Sequence, residues 1–375
     1  MTRGGVLGDL ALGTLREAAR NALAISPLGR GIEPDHATPR VLLQDAPHAR
    51  VERFLPPGTT TSEERDPVLL ITPPGVTSGC WDLRPGQSLG AHLAGSGRPT
   101  YTIDYGRITF ADRGMGIEEW VCDLLPPAVR AVSAAHDGRP VHLVGWSHGG
   151  TLAILLAAHD HGLPIASIVA LGTPTDYRRN PYYAPLFGLN ALAGLDLVTA
   201  PIRLAGTTTP LLTQLGYRWM SPLRELTKPW TLANNLLDNE VLARIEAVDR
   251  FVGAMPGYPA RFINQALSRI VVGRELVAGA LHLRDGLVID VQSLRAPLLL
   301  VGSKDDVLAS ADSVEAGVAA YPLADARFHP AHGLSHLGLI ASPRAVEMTW
   351  PEVDRHLARW DRAGTIGFTP RSRSR

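Results

Sequence analysis

The sequence predicts an α/β protein, a mostly parallel sheet covered on both faces and interrupted by a helical insertion. Three observations carry that expectation. Apolar runs of strand length, such as Val68-Leu69-Leu70-Ile71-Thr72 and Ser167-Ile168-Val169-Ala170-Leu171, alternate with stretches of helical spacing; this is the pattern of a sheet buried on both sides. One such run, Val141–Val144, leads into Gly145-Trp146-Ser147-His148-Gly149-Gly150 and then the apolar Thr151–Ala158, which reads as strand, tight turn and helix. The alternation then breaks at Gly172-Thr173-Pro174 and resumes only at Pro297-Leu298-Leu299-Leu300-Val301-Gly302.

Taken in order, residues 1–48 form a leading arm. In it, Val6–Ala24 reads as an amphipathic helix that packs Leu10, Leu15, Ala18, Ala19 and Leu23 on the body, and a loop follows from Pro27 to Pro39. The core comprises 49–172 and 291–363. Its first strand falls near Val51–Leu55 and is closed by Pro56-Pro57-Gly58, with a polar loop over Thr59–Asp66. The Val68 strand ends in the rigid turn Pro73-Pro74-Gly75-Val76. Thr100–Asp104 is another strand, and Ile117–His136 is a helix that Pro126-Pro127 must kink or split. Residues 173–290 read as a helical cap in which Val241–Val252 and Pro259–Val272 are helices divided by Pro256-Gly257 and no buried strand is expected. Beyond it lie a helix over Ser310–Tyr321, a strand over Ala326–His329, and a last helix with Ser342 as N-cap and Pro343 in its first turn. The tail 364–375, ending in the Arg/Ser alternation Arg371–Arg375, reads as disordered.

Composition excludes several function classes. With 375 residues, 45% hydrophobic and 19% charged, the chain can bury a large core. The 36 basic residues balance the 36 acidic ones, which gives no polyanion-binding signal, so no nucleic-acid partner is expected. Two cysteines, Cys80 and Cys122, cannot staple a fold of this size and show no metal-ligand pairing; a reducing compartment is the default. Acidic and basic residues interrupt Val6–Ala24, so no signal peptide is expected, and no run approaches a membrane span. The chain is therefore expected to be soluble and cytoplasmic.

Gly145-x-Ser147-x-Gly149 is the candidate nucleophile turn. Glycines let strand and helix approach, the apical serine is held in a strained conformation, and the helix N-terminus supplies N–H groups where an oxyanion would form. A serine hydroxyl needs a base, and the base needs a carboxylate that fixes its tautomer. The carboxylate belongs just past a late strand, where Gly302-Ser303-Lys304-Asp305-Asp306 lies. Asp305 is chosen because glycine, two residues, then aspartate is the usual loop spacing, and Asp306 is the alternative. The base belongs on the loop after the last strand; among His329, His332 and His336, the choice is His336 within Gly333-Leu334-Ser335-His336-Leu337-Gly338, with His332 as alternate. The backbone N–H groups of His148 and Val76 would form the oxyanion hole.

Together these residues resemble the polyhydroxyalkanoate synthase family, in its shorter, two-subunit kind, a branch of the α/β-hydrolase superfamily. The similarity extends over roughly residues 67–345. It is carried by Pro67–Pro74, Trp81-Asp82-Leu83-Arg84-Pro85-Gly86-Gln87-Ser88, Asp123-Leu124-Leu125-Pro126, Val141–Gly150, Met255-Pro256-Gly257 through Asn264, Glu275–Gly279, Val288–Pro297 and Ser335-His336-Leu337-Gly338. The resemblance implies an α/β-hydrolase fold and acyl-enzyme chemistry. The family's polymerases carry cysteine where this chain has Ser147, and commonly histidine where it has Asp306. A serine ester is a poorer acyl donor to a hydroxyl than a thioester and is normally resolved by water. The leading expectation is thus a serine hydrolase of hydrophobic acyl esters or thioesters, including acyl-CoA, with no metal and no organic cofactor. A synthase-type acyltransferase and a catalytically silent binding subunit are the alternatives. The low-charge stretch Leu186–Leu215 would suit contact with a lipid or polymer granule surface, and a homodimer or a synthase-type partner subunit would fit the family.

Overall fold

The computed structural model describes residues 3–26, 29–33, 37–58, 65–208, 213–215, 218 and 222–362. Its apolar runs become β1 (Arg40–Gln44), β2 (Arg50–Phe54), β3 (Val68–Ile71), β4 (Thr100–Asp104), β5 (Val141–Trp146), β6 (Ile165–Leu171), β7 (Ala280–His282), β8 (Val288–Asp290), β9 (Leu298–Ser303) and β10 (Ala326–Ala331). Eight of them form one sheet in the order β1-β2-β4-β3-β5-β6-β9-β10, while β7 and β8 make a separate hairpin. β2 is antiparallel to both β1 and β4, and every pairing from β4 to β10 is parallel.

Successive strand residues face opposite sides of the sheet, and both sides are buried. Leu69, Ile71, Leu143 and Leu300 join one cluster with Trp120, Val129, Leu152 and Leu155. Val68, Leu70, Val144 and Val301 join the other with Trp81, Leu93, Trp350 and Leu357. The helix His148–His159 is buried from Gly149 to Ala158; the hairpin residues Leu281 and Ile289 belong to the same cluster as its Leu152 and Leu155. At the amino ends of the central strands, Arg98 and His142 hold Asp361 while Arg139 holds Asp66, fastening the end of the last helix to the sheet.

Three features differ from the sequence reading, and a fourth follows one of its two alternatives. The arm contributes the edge strand β1, whose Val41, Leu42 and Leu43 are 54%, 46% and 36% exposed; an edge strand facing solvent shows no in–out alternation to betray it. In the arm's helix, Arg3–Ala24, the Leu10 side chain lies outside the described residues, while Leu15, Ala19 and Leu23 of the expected stripe are exposed, and among the described side chains Asn21 is buried, bonded to Leu236 O and Asn239. The insertion carries the β7–β8 hairpin, three residues a strand, too short for a periodicity. The expected split at Pro126-Pro127 is present: the prolines open the helix Leu125–Ala134 after a wide π-turn over Glu119–Leu124, since a missing N–H costs nothing in a first turn.

The insertion's outer helices are Ala184–Ala193, Asp196–Ala205 and Pro222–Asn234, and its inner ones are Asn239–Gly253 and Ala260–Gln265. Arg84 of the core, almost fully buried, grips Glu240 of the inner helix at 2.5 Å and Glu33 of the arm at 2.7 Å, tying three segments at one point. Ser342 caps the helix Pro343–Met348 by accepting from Ala345 N. Among the described residues no single helix is long and apolar enough to cross a membrane; Pro181–Ala193 and Asp196–Ala205, bent by 96°, reach that composition only as a pair. The loop residues 59–64 and the tail from 363 onwards lie outside the described residues.

Candidate active site

The strand register decides where the site lies. Ile71 pairs with Gly145, Trp146 with Leu171, Leu171 with Val301, and Ala331 with Ser303, so the carboxyl ends of β3, β5, β6, β9 and β10 sit side by side. Loops leaving one edge of a parallel sheet are where such folds build sites.

Ser147 stands where β5 becomes a helix, with φ 54° and ψ −127°. A non-glycine residue in that region costs roughly 1–3 kcal/mol and persists only when its surroundings hold it there. Here they do: Ser147 N donates to Leu171 O at 2.8 Å and Thr173 Oγ1 donates to Ser147 O at 3.0 Å. The two flanking glycines are required by space. A Cβ on Gly149 would lie 2.1 Å from Ile71 O, and one on Gly145 would lie 2.4 Å from Gly150 N.

His336 follows β10 and is buried, with Nδ1 at 2.7 Å from Asp306 Oδ2. The carboxylate accepts, so the shared proton belongs on Nδ1 and Nε2 is left as the basic nitrogen. Asp306 is 1% exposed, and its other oxygen accepts from Leu308 N at 2.9 Å and Ala309 N at 3.0 Å. Trp146, unremarked in the sequence reading, fixes the imidazole from below: its Nε1 donates to His336 O at 3.0 Å and its ring lies 4.9 Å from that of His336. Gly172, at φ +55°, leaves room for the ring, since a Cβ there would meet His336 Cε1 and Nδ1 at 3.2 Å.

Three expectations are corrected by the geometry. The carboxylate on His336 is Asp306, the alternative, and not Asp305. Strand β9 continues through Ser303, and the following turn closes with Asp306 N donating to Ser303 O at 3.3 Å, which turns Asp306 inward and leaves Asp305 outside. Asp305 instead accepts from Gly333 N at 2.7 Å, steadying the loop that carries His336. Val76 does not offer a free N–H: it donates to Pro73 O at 3.1 Å, the bond that closes its own turn. His332, the alternate base, is exposed, and His329 pairs with Glu352 at 3.4 Å.

Ser147, His148 and His336 share a cavity of about 210 Å³ whose other walls include Tyr183, Met255 and Tyr258 from the insertion. Its mouth is thus shaped by core and cap together. Burial, and secondarily the charge of His336, pushes His148 down to about 4, so this imidazole is neutral near pH 7. Its ring stands edge-on to Tyr258 at 5.8 Å and to Phe262 at 5.6 Å, and its buried Nδ1 has no hydrogen-bond partner among the described residues. The aromatic wall had no signal in the sequence because Tyr177, Tyr183 and Tyr258 come from three separated turns.

The fold is an α/β-hydrolase fold. A protein from Mycobacterium tuberculosis, Rv0554, superposes with a TM-score of 0.50 at 18% identity, covering 85% of this chain and 99% of that one. A membrane phospholipase A, described as a bacterial virulence factor, superposes with a TM-score of 0.51 at 16% identity over 95% of each chain. In sequence the chain is similar to poly(3-hydroxyalkanoate) polymerase subunits. It is 23% identical over 244 residues to the poly(3-hydroxyalkanoate) polymerase subunit PhaC of Synechocystis, covering 63% of each. The Haloferax mediterranei subunit of the same name is 22% identical over 294 residues, 76% of this chain. The matches span only 63% and 57% of the lengths of those two relatives. No family model matches the chain.

Proposed function

We propose that the protein is a serine acyl hydrolase acting on esters or thioesters with a hydrophobic acyl group. The observation that carries this reading is the meeting, in one mostly apolar cavity, of a strained serine after β5 and a histidine whose far nitrogen is held by a buried carboxylate. In the proposed reaction His336 Nε2 takes the Ser147 Oγ proton as Oγ bonds to the acyl carbon. The carbonyl π pair moves to oxygen and returns as the alcohol or thiol leaves, carrying the proton from His336. Water, activated by the same nitrogen, then releases the acid. At about 210 Å³ the cavity is below the usual ligand-site range of roughly 300–1,000 Å³, so a long acyl chain requires the cap to move.

The test is labelling with a fluorophosphonate followed by peptide mapping. An adduct on Ser147, lost in His336→Ala and Asp306→Ala, is expected; no adduct on Ser147 defeats the mechanism.

The PhaC relatives favour a second reading, acyl transfer from a hydroxyacyl-CoA to a growing chain. Against it stands the alcohol at position 147. Neither cysteine replaces it: Cys80 is buried and its thiol is pushed well up by burial, and Cys122 sits 3.6 Å from His159, outside the cavity lining. Polymer formation that outpaces release of free acid from a hydroxyacyl-CoA would establish transfer instead. A catalytically silent binding subunit would turn over neither class of substrate. A lipid or polymer surface met through the outer cap, and a location in the cytoplasm, belong to the same proposal.

A further inference from the structure

Resting on the serine reading above, we infer that the Tyr258 hydroxyl, supplied by the cap, is the second hydrogen-bond donor to the oxyanion. An acyl-transfer site of this kind needs two donors, one from the residue after the serine and one from the loop after β3. The first is in place, because His148 begins the helix after Ser147 and a first-turn N–H has no partner within its helix. The expected second donor is not free. Pro73 and Pro74 have no N–H, Val76 N is spent on Pro73 O, and Gly75 lies under the Tyr258 ring.

Tyr258 fills that gap. Its ring lies directly on the turn, so close that a Cβ on Gly75 would come within 2.0 Å of its Cε2. It lines the cavity with Ser147 and stands edge-on to His148, the neighbour of the serine. Among the described residues the Tyr258 hydroxyl donates to no side-chain or backbone acceptor, so the phenol keeps its proton to donate. Burial pushes the phenol well above its ordinary range, so it remains a donor across the working pH. The residue is fixed by its own segment: Tyr258 N donates to Thr208 Oγ1 at 2.7 Å, Thr208 N donates to Tyr258 O at 2.9 Å, and Gly257, at φ +99°, rests against Thr208 O. As Ser147 Oγ bonds to the acyl carbon and the π pair moves to the carbonyl oxygen, Tyr258 O–H donates to that oxygen without giving up its proton. Because the donor rides on the cap, seating the cap completes the site.

The test uses Tyr258→Phe, which keeps the ring on Gly75, with a p-nitrophenyl ester and a trifluoromethyl ketone ¹³C-labelled at the carbonyl. Loss of one such donor typically costs about 10²–10³ in kcat; a drop of that size with KM little changed is expected. The ketone adduct on Ser147 should show its hydroxyl titrating at higher pH in Tyr258→Phe than in the unaltered protein, a shift that a purely packing role does not produce. No adduct in the unaltered protein defeats the serine reading itself. An adduct that titrates identically in both proteins, or a variant as fast as or faster than the original, overturns the assignment of Tyr258 alone.

Discussion

Around Ser147 nearly every neighbour is committed, whereas the outer cap commits very little. At the sheet edge a strained serine is held by two backbone contacts and bracketed by glycines that admit no side chain. In the outer cap helices Leu192, Leu204, Leu226 and Trp230 are 89%, 85%, 78% and 73% exposed. Apolar residues are spent on opposite ends: in one region they fix a geometry, in the other they face outward. The inner helix Asn239–Gly253 stands between the two regimes, burying Leu242, Ala247 and Phe251 and meeting Arg84 through Glu240. A single chain therefore carries a rigid edge and a surface that the core does not need, and substitutions separate the two.

The largest effect is expected at the carboxylates. Asp306→Asn should lower kcat/KM by about 10⁴, since an amide cannot hold the imidazole in the right tautomer or balance its charge. Asp305→Asn removes only a loop contact to Gly333 N and should cost less than about tenfold. Ester hydrolysis by the two variants, each checked for native circular dichroism, reads the difference; the reverse order would return the role to Asp305. Gly149→Ala comes next. Its Cβ would land on the Ile71 carbonyl, part of β3 in the middle of the sheet, and overpacking of this kind costs about 3 kcal/mol, measurable as a lowered urea midpoint at unchanged slope.

A third expectation concerns pH. His148 and His356 are both held down to about 4, each chiefly by burial, so the folded state binds their protons more weakly than the unfolded chain does. Their contribution to stability is whole above about 6.5 and is lost as pH falls toward 4. Each accounts for up to about 3 kcal/mol on the rule of 1.36 kcal/mol per unit. Urea midpoints should fall across that window, and the fall should shrink in His356→Phe; a flat profile from pH 6.5 to 4 would contradict the burial of both rings.

What the sequence disclosed follows the same division. The central strands, the serine turn and the His336 loop were legible because burial on both faces, glycine spacing and small flanking residues leave local marks. The choice between Asp305 and Asp306 was not, because it turns on where β9 ends, and one residue of strand reverses which side chain points in. The Val76 N–H was misjudged for a related reason: a Pro-Pro-Gly turn announces its shape but not which donor its closing bond consumes. β1 and the β7–β8 hairpin escaped through being edge strands or too short for a period. The cap's aromatic wall is assembled from Tyr177, Tyr183 and Tyr258 across some eighty positions, and no local pattern links them.

The smallest effect on stability is expected in the outer cap, and there the comparison sharpens most. Replacing Leu204 and Trp230 by serine removes side chains that contribute almost nothing to the core, and surface changes away from special features usually stay within about 0.5 kcal/mol. If these residues serve only as surface, hydrolysis of a short, monomeric ester should also be unchanged. If the exposed leucines meet an aggregated substrate, activity should fall only when the ester is presented as a dispersion above its solubility limit, because burying such side chains recovers roughly 25 cal/mol for each Å² withdrawn from water. Equal losses on both substrates would mean that the outer helices shape the cavity after all, and that the two regions are one mechanical unit.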